Sequence, residues 1–267
     1  TFTLAFLFTG LYIASLITER VIPLKTFLFS NKPRTSFVTS LFLFAVLIST
    51  VSLGYYMFQK SISFLFFQRG VFAYRNHGDL TIAEANMDKT LSLSGNDLYY
   101  RSYSELNLLR LRNIISSQVT SPAVVKQFQD VLVAAITNAN KAVSFDPTNY
   151  QNRLSLGQVY EALMPLNLKD LPTDTAYQYA NDAYQEALKL NPKSPLILMR
   201  LARLEIVHND LPKAKDYTIK ALQEKSNYTD AIFLLSQIQA SEGNLKDAIA
   251  SVGAALFVSP SDPALLF

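Results

Sequence analysis

The 267-residue chain contains no cysteine and no tryptophan. Without thiols there is no disulfide, no thiolate metal site and no cysteine nucleophile, and the redox compartment stays open. Acidic residues are nearly missing from the first part. Glu19 is the sole acid among residues 1–77, against Arg20, Lys25, Lys32, Arg34, Lys60, Arg69 and Arg75. The whole chain has 24 Lys/Arg and 21 Asp/Glu, which leaves 17 and 20 for residues 78–267. The basic excess therefore belongs to the first part alone. A nucleic-acid binder gathers basic side chains on its folded domain. Here they flank apolar runs, as at membrane borders, so no nucleic-acid partner is expected.

Two stretches lack charge altogether. Residues 1–18 read TFTLAFLFTGLYIASLIT, and residues 35–59 run from Thr35 to Gln59 around SLFLFAVLISTVSLGYYMF. At about 1.5 Å per residue, the second reaches roughly 37 Å, enough to cross a hydrocarbon layer with some tilt. The sequence thus predicts a membrane region over 1–59, with spans at about 1–18 and 36–58 joined by a basic loop, 19–35. A signal peptide needs a basic start and a small-residue cleavage site, and the first stretch has no basic start. A buried soluble helix rarely lacks a polar stripe for five turns. The loop's four Lys/Arg put it on the cytoplasmic side, with the following domain extracytoplasmic. The chain opens on Thr1 and ends at Phe267 in what reads as the start of a fresh helix, so it is expected to be part of a longer protein.

Beyond residue 60 the chain repeats. ALKLNP ends at Pro192, ALQEKS at Ser226 and ALFVSP at Pro260, each 34 residues after the last. AVSFDP, ending at Pro147, and TLSLSG, ending at Gly95, fit the same frame. A second marker, HGDL (77–80), HNDL (208–211) and EGNL (242–245), precedes three of these blocks by a constant interval. Gly78, Asn209 and Gly243 are residues that tolerate positive φ, which closes one helix and opens the next.

These residues resemble the tetratricopeptide-repeat (TPR) family. Leu156, Gly157 and Tyr160 stand in the family's first-helix positions, and Ala180, Tyr184, Ala187 and Pro192 in the second. Leu201, Ala202, Ala214 and Ala221 follow in the next unit, then Leu235, Ser236, Ala248, Ala255 and Pro260. The family's first-helix Trp is missing. The resemblance implies an all-α chain, with a TPR-type α-solenoid of about five repeats over 60–267. Two spacings exceed 34 residues, which puts insertions near 114–125 and 164–175 as loops or lengthened helices.

By the same resemblance a concave groove is lined by the first helix of each unit. Its expected positions are Tyr99, Ser102, Leu106, Leu109 and Arg110, then Gln151, Leu154, Gln158 and Glu161, then Leu196, Met199, Arg203 and Ile206, then Asp230, Phe233, Gln237 and Ala240, with Tyr99, Gln151, Gln158, Met199, Arg203, Asp230, Phe233 and Gln237 as the candidate binding residues. Tyr99, Met199 and Phe233 would anchor apolar side chains, and Gln158, Arg203 and Gln237 would bond an extended backbone. The Lys/Asn pair with which some family members clamp a terminal carboxylate is missing.

Catalysis has no visible basis. His77 and His208 each sit one residue before the turn residue, where a cation complements a helix end. No Gly-rich phosphate loop, HExxH or nucleophile elbow occurs, and no catalytic, cofactor or metal site is assigned. The sequence therefore reads as a non-enzymatic scaffold in a bacterial plasma membrane, its partners a protein or peptide in the groove and the lipid bilayer. The layout also resembles the C-terminal part of O-antigen ligase or polymerase-type multi-pass proteins, in which case the chemistry lies upstream of Thr1.

Overall fold

The computed structural model describes residues 33–117, 121–166, 168, 169 and 171–258, together with Tyr12 and Ser15. Apart from Tyr12 and Ser15, the first expected span, 1–18, lies outside the described residues, as does most of the basic loop. Among the described residues from 33 onward the α-helices are, in order, α1 (Pro33–His77), α2 (Leu80–Leu93), α3 (Asp97–Ser116), α4 (Pro122–Phe145), α5 (Tyr150–Leu163), α6 (Thr173–Leu190), α7 (Pro195–Val207), α8 (Leu211–Glu224), α9 (Thr229–Ser241) and α10 (Leu245–Val258). Among the described residues the only β-type pairing is one isolated bridge, Leu168 to Leu171.

The chain divides into two units, Thr1–Phe58 and Gln59–Phe267. In the first, α1 carries the uncharged stretch, and its large side chains face outward; Phe37, Phe42 and Leu47 are all more than half exposed. Among the described residues one helix is long and apolar enough to cross a membrane, Ser36–His77.

The second unit is a row of hairpins, and local chemistry sets each turn. Gly78, Asn209 and Gly243 adopt positive φ of 64°, 66° and 82°, as the HGDL, HNDL and EGNL markers predict. The next helix then starts on a side-chain cap where one is available. Asp79 accepts from the Ile82 amide at 2.8 Å, Asn96 from Tyr99 at 2.8 Å and Asp210 from Lys213 at 3.1 Å. Each such cap satisfies an amide that the first turn leaves free.

Helix α1 runs through Gly70 without a break. Glycine stands there because α2 comes close: a Cβ would meet the Ala83 carbonyl oxygen at 3.1 Å. The buried Ser63 hydroxyl donates to Thr90 O across the same contact at 2.9 Å. Of the 114–125 excess, residues 118–120 lie outside the described residues. On either side of them the helices of the second hairpin are long, 20 residues in α3 and 24 in α4, with Ser121 and Pro122 opening α4. Within the 164–175 excess, residues 167 and 170 lie outside the described residues. A 3-10 helix, Met164–Leu166, carries the buried Met164, whose carbonyl accepts from Thr173 Oγ1 at 2.9 Å.

Small residues let the helices approach. Ala176, Ala180, Ala183 and Ala187 of α6 are buried, and Ala180 and Ala187 pack with Tyr184, Ile197, Leu201 and Leu204 in one core cluster. Ala214 and Ala221 of α8 and Ala231 of α9 continue the pattern. Each second helix from α4 to α8 packs on the first helix of the following hairpin, so the core is continuous rather than divided into separate pairs.

Candidate functional site

The first helices of hairpins two, three and four, α3, α5 and α7, together line a depression of about 470 Å³. Its walls are Glu105, Leu108, Leu109 and Arg112 from α3, Gln158, Glu161 and Ala162 from α5 with Pro165 just beyond, and Arg200 and Val207 from α7. The 3.6-residue period aligns Glu105, Leu109 and Arg112 on one stripe of α3, and Gln158 and Glu161 on one stripe of α5.

The polar groups are held in place from behind. The Tyr184 hydroxyl, at the end of a fully buried ring, donates to Glu161. Burial drives the Tyr184 hydroxyl far above the usual phenol range, and the Glu161 charge adds to the shift. The hydroxyl therefore stays a donor and the carboxylate stays oriented. With its amide oxygen turned toward α7, Gln158 accepts from Arg200 Nη2 at 3.1 Å and Nε at 3.3 Å. Solvent reaches Glu105, but the concave wall displaces much of its water. Its carboxyl is held above the ordinary range by that desolvation, which the charge of Arg101 only partly offsets.

Behind the groove, hairpins two and three are tied by a polar network. The fully buried Asn152 donates from Nδ2 to Asp97 at 3.1 Å, to Ala142 O at 3.1 Å and to Asp146 O at 3.0 Å. Arg101 donates to Asn152 Oδ1 at 2.8 Å, and Asn149 to Asp97 at 2.9 Å. For Asp97 burial opposes ionisation. The hydrogen bonds from Asn152, Asn149 and the Leu98 amide, with Arg101, outweigh it and hold the carboxyl below its usual value.

The expected groove residues separate. Gln158, Glu161 and Leu109 are in the depression, whereas Leu106 and Leu154 are buried. Tyr99 and Met199 are not groove anchors: they are only 6% and 2% exposed. The Tyr99 ring packs tilted against Phe67 with centroids 4.7 Å apart, and Met199 joins Leu198, Ala221 and Ala231 between hairpins. Their positions face the adjoining helices because stacking turns that side of the first helix inward. Arg203 pairs with Asp230 at 3.4 Å, both largely exposed, as a link between α7 and α9. Phe233 packs beside Ile232, Gln151 is exposed, and Gln237 lines a separate apolar face at α9 and α10.

Sequence reasoning missed the charged groove residues Glu105, Arg112 and Arg200, as well as the apolar Leu108, Ala162, Pro165 and Val207. Arg112 lies on the part of α3 that its extra length adds. Arg200 stands one place past the expected position and reaches across on its long stem. The histidines have packing roles at hairpin ends. His208 stacks on Tyr177 at 3.8 Å, and the Tyr177 hydroxyl donates to the buried Glu205 at 3.1 Å. Burial, then the Glu205 charge, pushes the Tyr177 hydroxyl up to about 12. Among the described residues no three His, Asp or Glu side chains converge as metal ligands.

No family model and no curated protein matches the chain. Solved structures do. A thermophilic TPR protein of Thermus thermophilus, TTC0263, superposes with a TM-score of 0.57 over 76% of this chain and 95% of its own, at 16% identity. The solenoid has the tetratricopeptide-repeat fold. The apo form of RapI gives a TM-score of 0.52 over 74% of this chain and 70% of its own, at 14% identity. MamA of Desulfovibrio magneticus RS-1 gives 0.51 over 75% and 97%, at 12% identity. At such identities the likeness is one of fold. In TPR terms α5 and α6 form the hairpin with the fullest signature, and Gly157 is its tightest point.

Proposed function

We propose that the protein is a non-enzymatic, membrane-anchored scaffold whose TPR solenoid holds a protein or peptide segment in the groove between α3, α5 and α7. The observation that carries this reading is the groove's make-up. Arg112, Gln158, Glu161 and Arg200 supply donors and acceptors beside the apolar Leu108, Leu109, Pro165 and Val207. Such a mixture suits an extended chain, with backbone groups bonded along the polar stripe and side chains seated on the apolar one. A solenoid offers this surface without a closed pocket.

The test is selection of a displayed random-peptide library against the detergent-solubilised protein, followed by titration of the enriched peptide. Arg200→Ala and Arg112→Ala should each weaken binding by about tenfold or more, the loss of a charge-assisted hydrogen bond. Lys193→Ala, at an exposed turn, should leave it unchanged. Equal affinity in all three variants would count against the groove.

Membrane anchoring is supported by the outward-facing apolar side chains of α1 and by its length. The Lys/Arg excess of residues 19–35 supports an extracytoplasmic solenoid in a bacterial plasma membrane. A Lys193→Cys variant, its thiol unique in this cysteine-free chain, should then react with a membrane-impermeant maleimide in intact spheroplasts. Labelling only after lysis would reverse the orientation. An apolar helix followed by a repeat solenoid also suits the terminal region of a glycan-transferring membrane protein of O-antigen ligase or polymerase type. Further spans with an Arg-bearing loop in the frame upstream of Thr1 would support that second reading, and a start codon just upstream would remove it.

A further inference from the structure

Helix α3 carries polar side chains on two faces. Glu105, Leu109 and Arg112 line the groove, whereas Asn107 and Arg110, three residues apart, turn away from it. On that side they meet Glu84 of α2 and Lys126, Gln127 and Asp130 of α4 around a separate depression of about 380 Å³. Its volume is within the range of about 300–1,000 Å³ common to ligand sites.

One polar group in this depression is left unbonded by the fold. Asn107 is 2% exposed, the least exposed residue of the lining, and among the described residues its side-chain Nδ2 has no hydrogen-bond partner. One turn earlier, Ser104 is also buried, but its hydroxyl donates to Ala135 O of α4 at 2.8 Å. The packing of α3 on α4 can therefore satisfy a buried donor, and at Asn107 it does not. A buried donor without an acceptor costs stability, so an acceptor from outside the chain accounts for an asparagine here.

The neighbours define that acceptor. The Arg110 guanidinium donates to Glu84, and Asp130 balances Lys126 at the exposed rim, so the lining has no net charge with which to hold a free anion. No aromatic ring is among its described residues, which leaves a sugar ring without a stacking face. Ala123 and Ala134 keep part of the wall small. Donors at Asn107 and Lys126 stand beside acceptors at Gln127 and Asp130, the mixture that main-chain amides require. We infer that this depression is a second binding site, independent of the groove. It takes an uncharged peptide segment of small residues and presents the Asn107 amide to one of that segment's backbone carbonyls.

The full chain in detergent, carrying isotope-labelled asparagine, reports on this side chain by nuclear magnetic resonance, the Asn107 signal being identified by its loss in Asn107→Leu. The probes are the capped peptide acetyl-Gly-Ser-Gly-amide, acetate and glucose, at equal concentration. The peptide should shift the Asn107 side-chain amide signal saturably, and acetate and glucose should leave it in place. Lys126→Ala, at the exposed rim, should weaken the peptide about fivefold, as loss of one hydrogen bond from a charged group requires. Asn107→Leu should raise the thermal midpoint, since it removes a buried donor that the fold leaves unbonded. No shift with the peptide would overturn the inference. So would an equal shift with acetate or glucose, which would give the site to an anion or a sugar. Unchanged peptide affinity in Lys126→Ala, or a lowered midpoint in Asn107→Leu, would also overturn it.

Discussion

Gly157 has no space for a methyl group. A Cβ placed on it would collide with the ring of Tyr184, which is itself fully buried and bonded through its hydroxyl to Glu161. Neither side can yield without moving α5 from α6. Gly157→Ala should therefore destabilise the solenoid by about 1–3 kcal/mol, the range for overpacking a filled core, measured as a lowered thermal or denaturant midpoint. At Asn209 the strain is in the backbone, at φ 66°. Asn209→Ala should cost about 1 kcal/mol, whereas Asn209→Gly should be neutral or gain slightly. Asp97 contributes to the acid limb. Its folded value lies below the ordinary 3.8, so the unfolded chain binds more protons there and stability rises with pH. The contribution is complete above the unfolded value and is lost as pH falls through the folded one. Asp97→Asn should flatten that acid slope in a series of melts from pH 6 to pH 2. A slope equal to the wild type's would assign acid lability to other groups.

At the scale of the element, the three hairpin closures at Gly78, Asn209 and Gly243 were legible because they rest on few residue types. Only Gly and Asn enter the left-handed region cheaply, and the recurring Ala-Leu blocks mark where second helices must be thin enough to approach. The lengths of α3 and α4 were not legible. Their extra turns carry ordinary helix formers, and Ser121-Pro122 announces the start of α4 without saying how far α3 has run. Groove membership was half legible for a related reason. Helical phase points Gln158 and Glu161 into the groove, but the inward turn of Met199 and Tyr99 comes from how neighbouring hairpins stack, which no single helix records. Helix α1 yields a separate prediction. An insertion reporter carrying residues 33–77 should integrate fully, and Leu47→Arg with Val51→Arg should abolish integration, since two central arginines cost about 5–7 kcal/mol. Unchanged integration of that variant would show that the uncharged stretch is not what enters the bilayer.

For the whole molecule, the stacked hairpins gather on one concave wall polar groups that lie up to 95 residues apart in sequence, from Glu105 to Arg200. Their orientation depends on the buried layer behind them, on Tyr184 for Glu161 and on Asn152 for the joint between α3 and α5. Tyr184→Phe should therefore weaken peptide binding by loosening Glu161, with a stability cost of only about 1 kcal/mol, that of one hydrogen bond. The most direct measurement of the central claim is site-specific photo-crosslinking in the native membrane. A photoreactive residue at Ala162 or Val207, within the groove, and another at Lys220, outside it, would be compared with adducts identified by mass spectrometry. The groove account predicts the same discrete protein adduct from Ala162 and Val207, lost when Arg200→Ala is combined with either, and no such adduct from Lys220. Adducts from Lys220 alone, or groove adducts indifferent to Arg200→Ala, would contradict it.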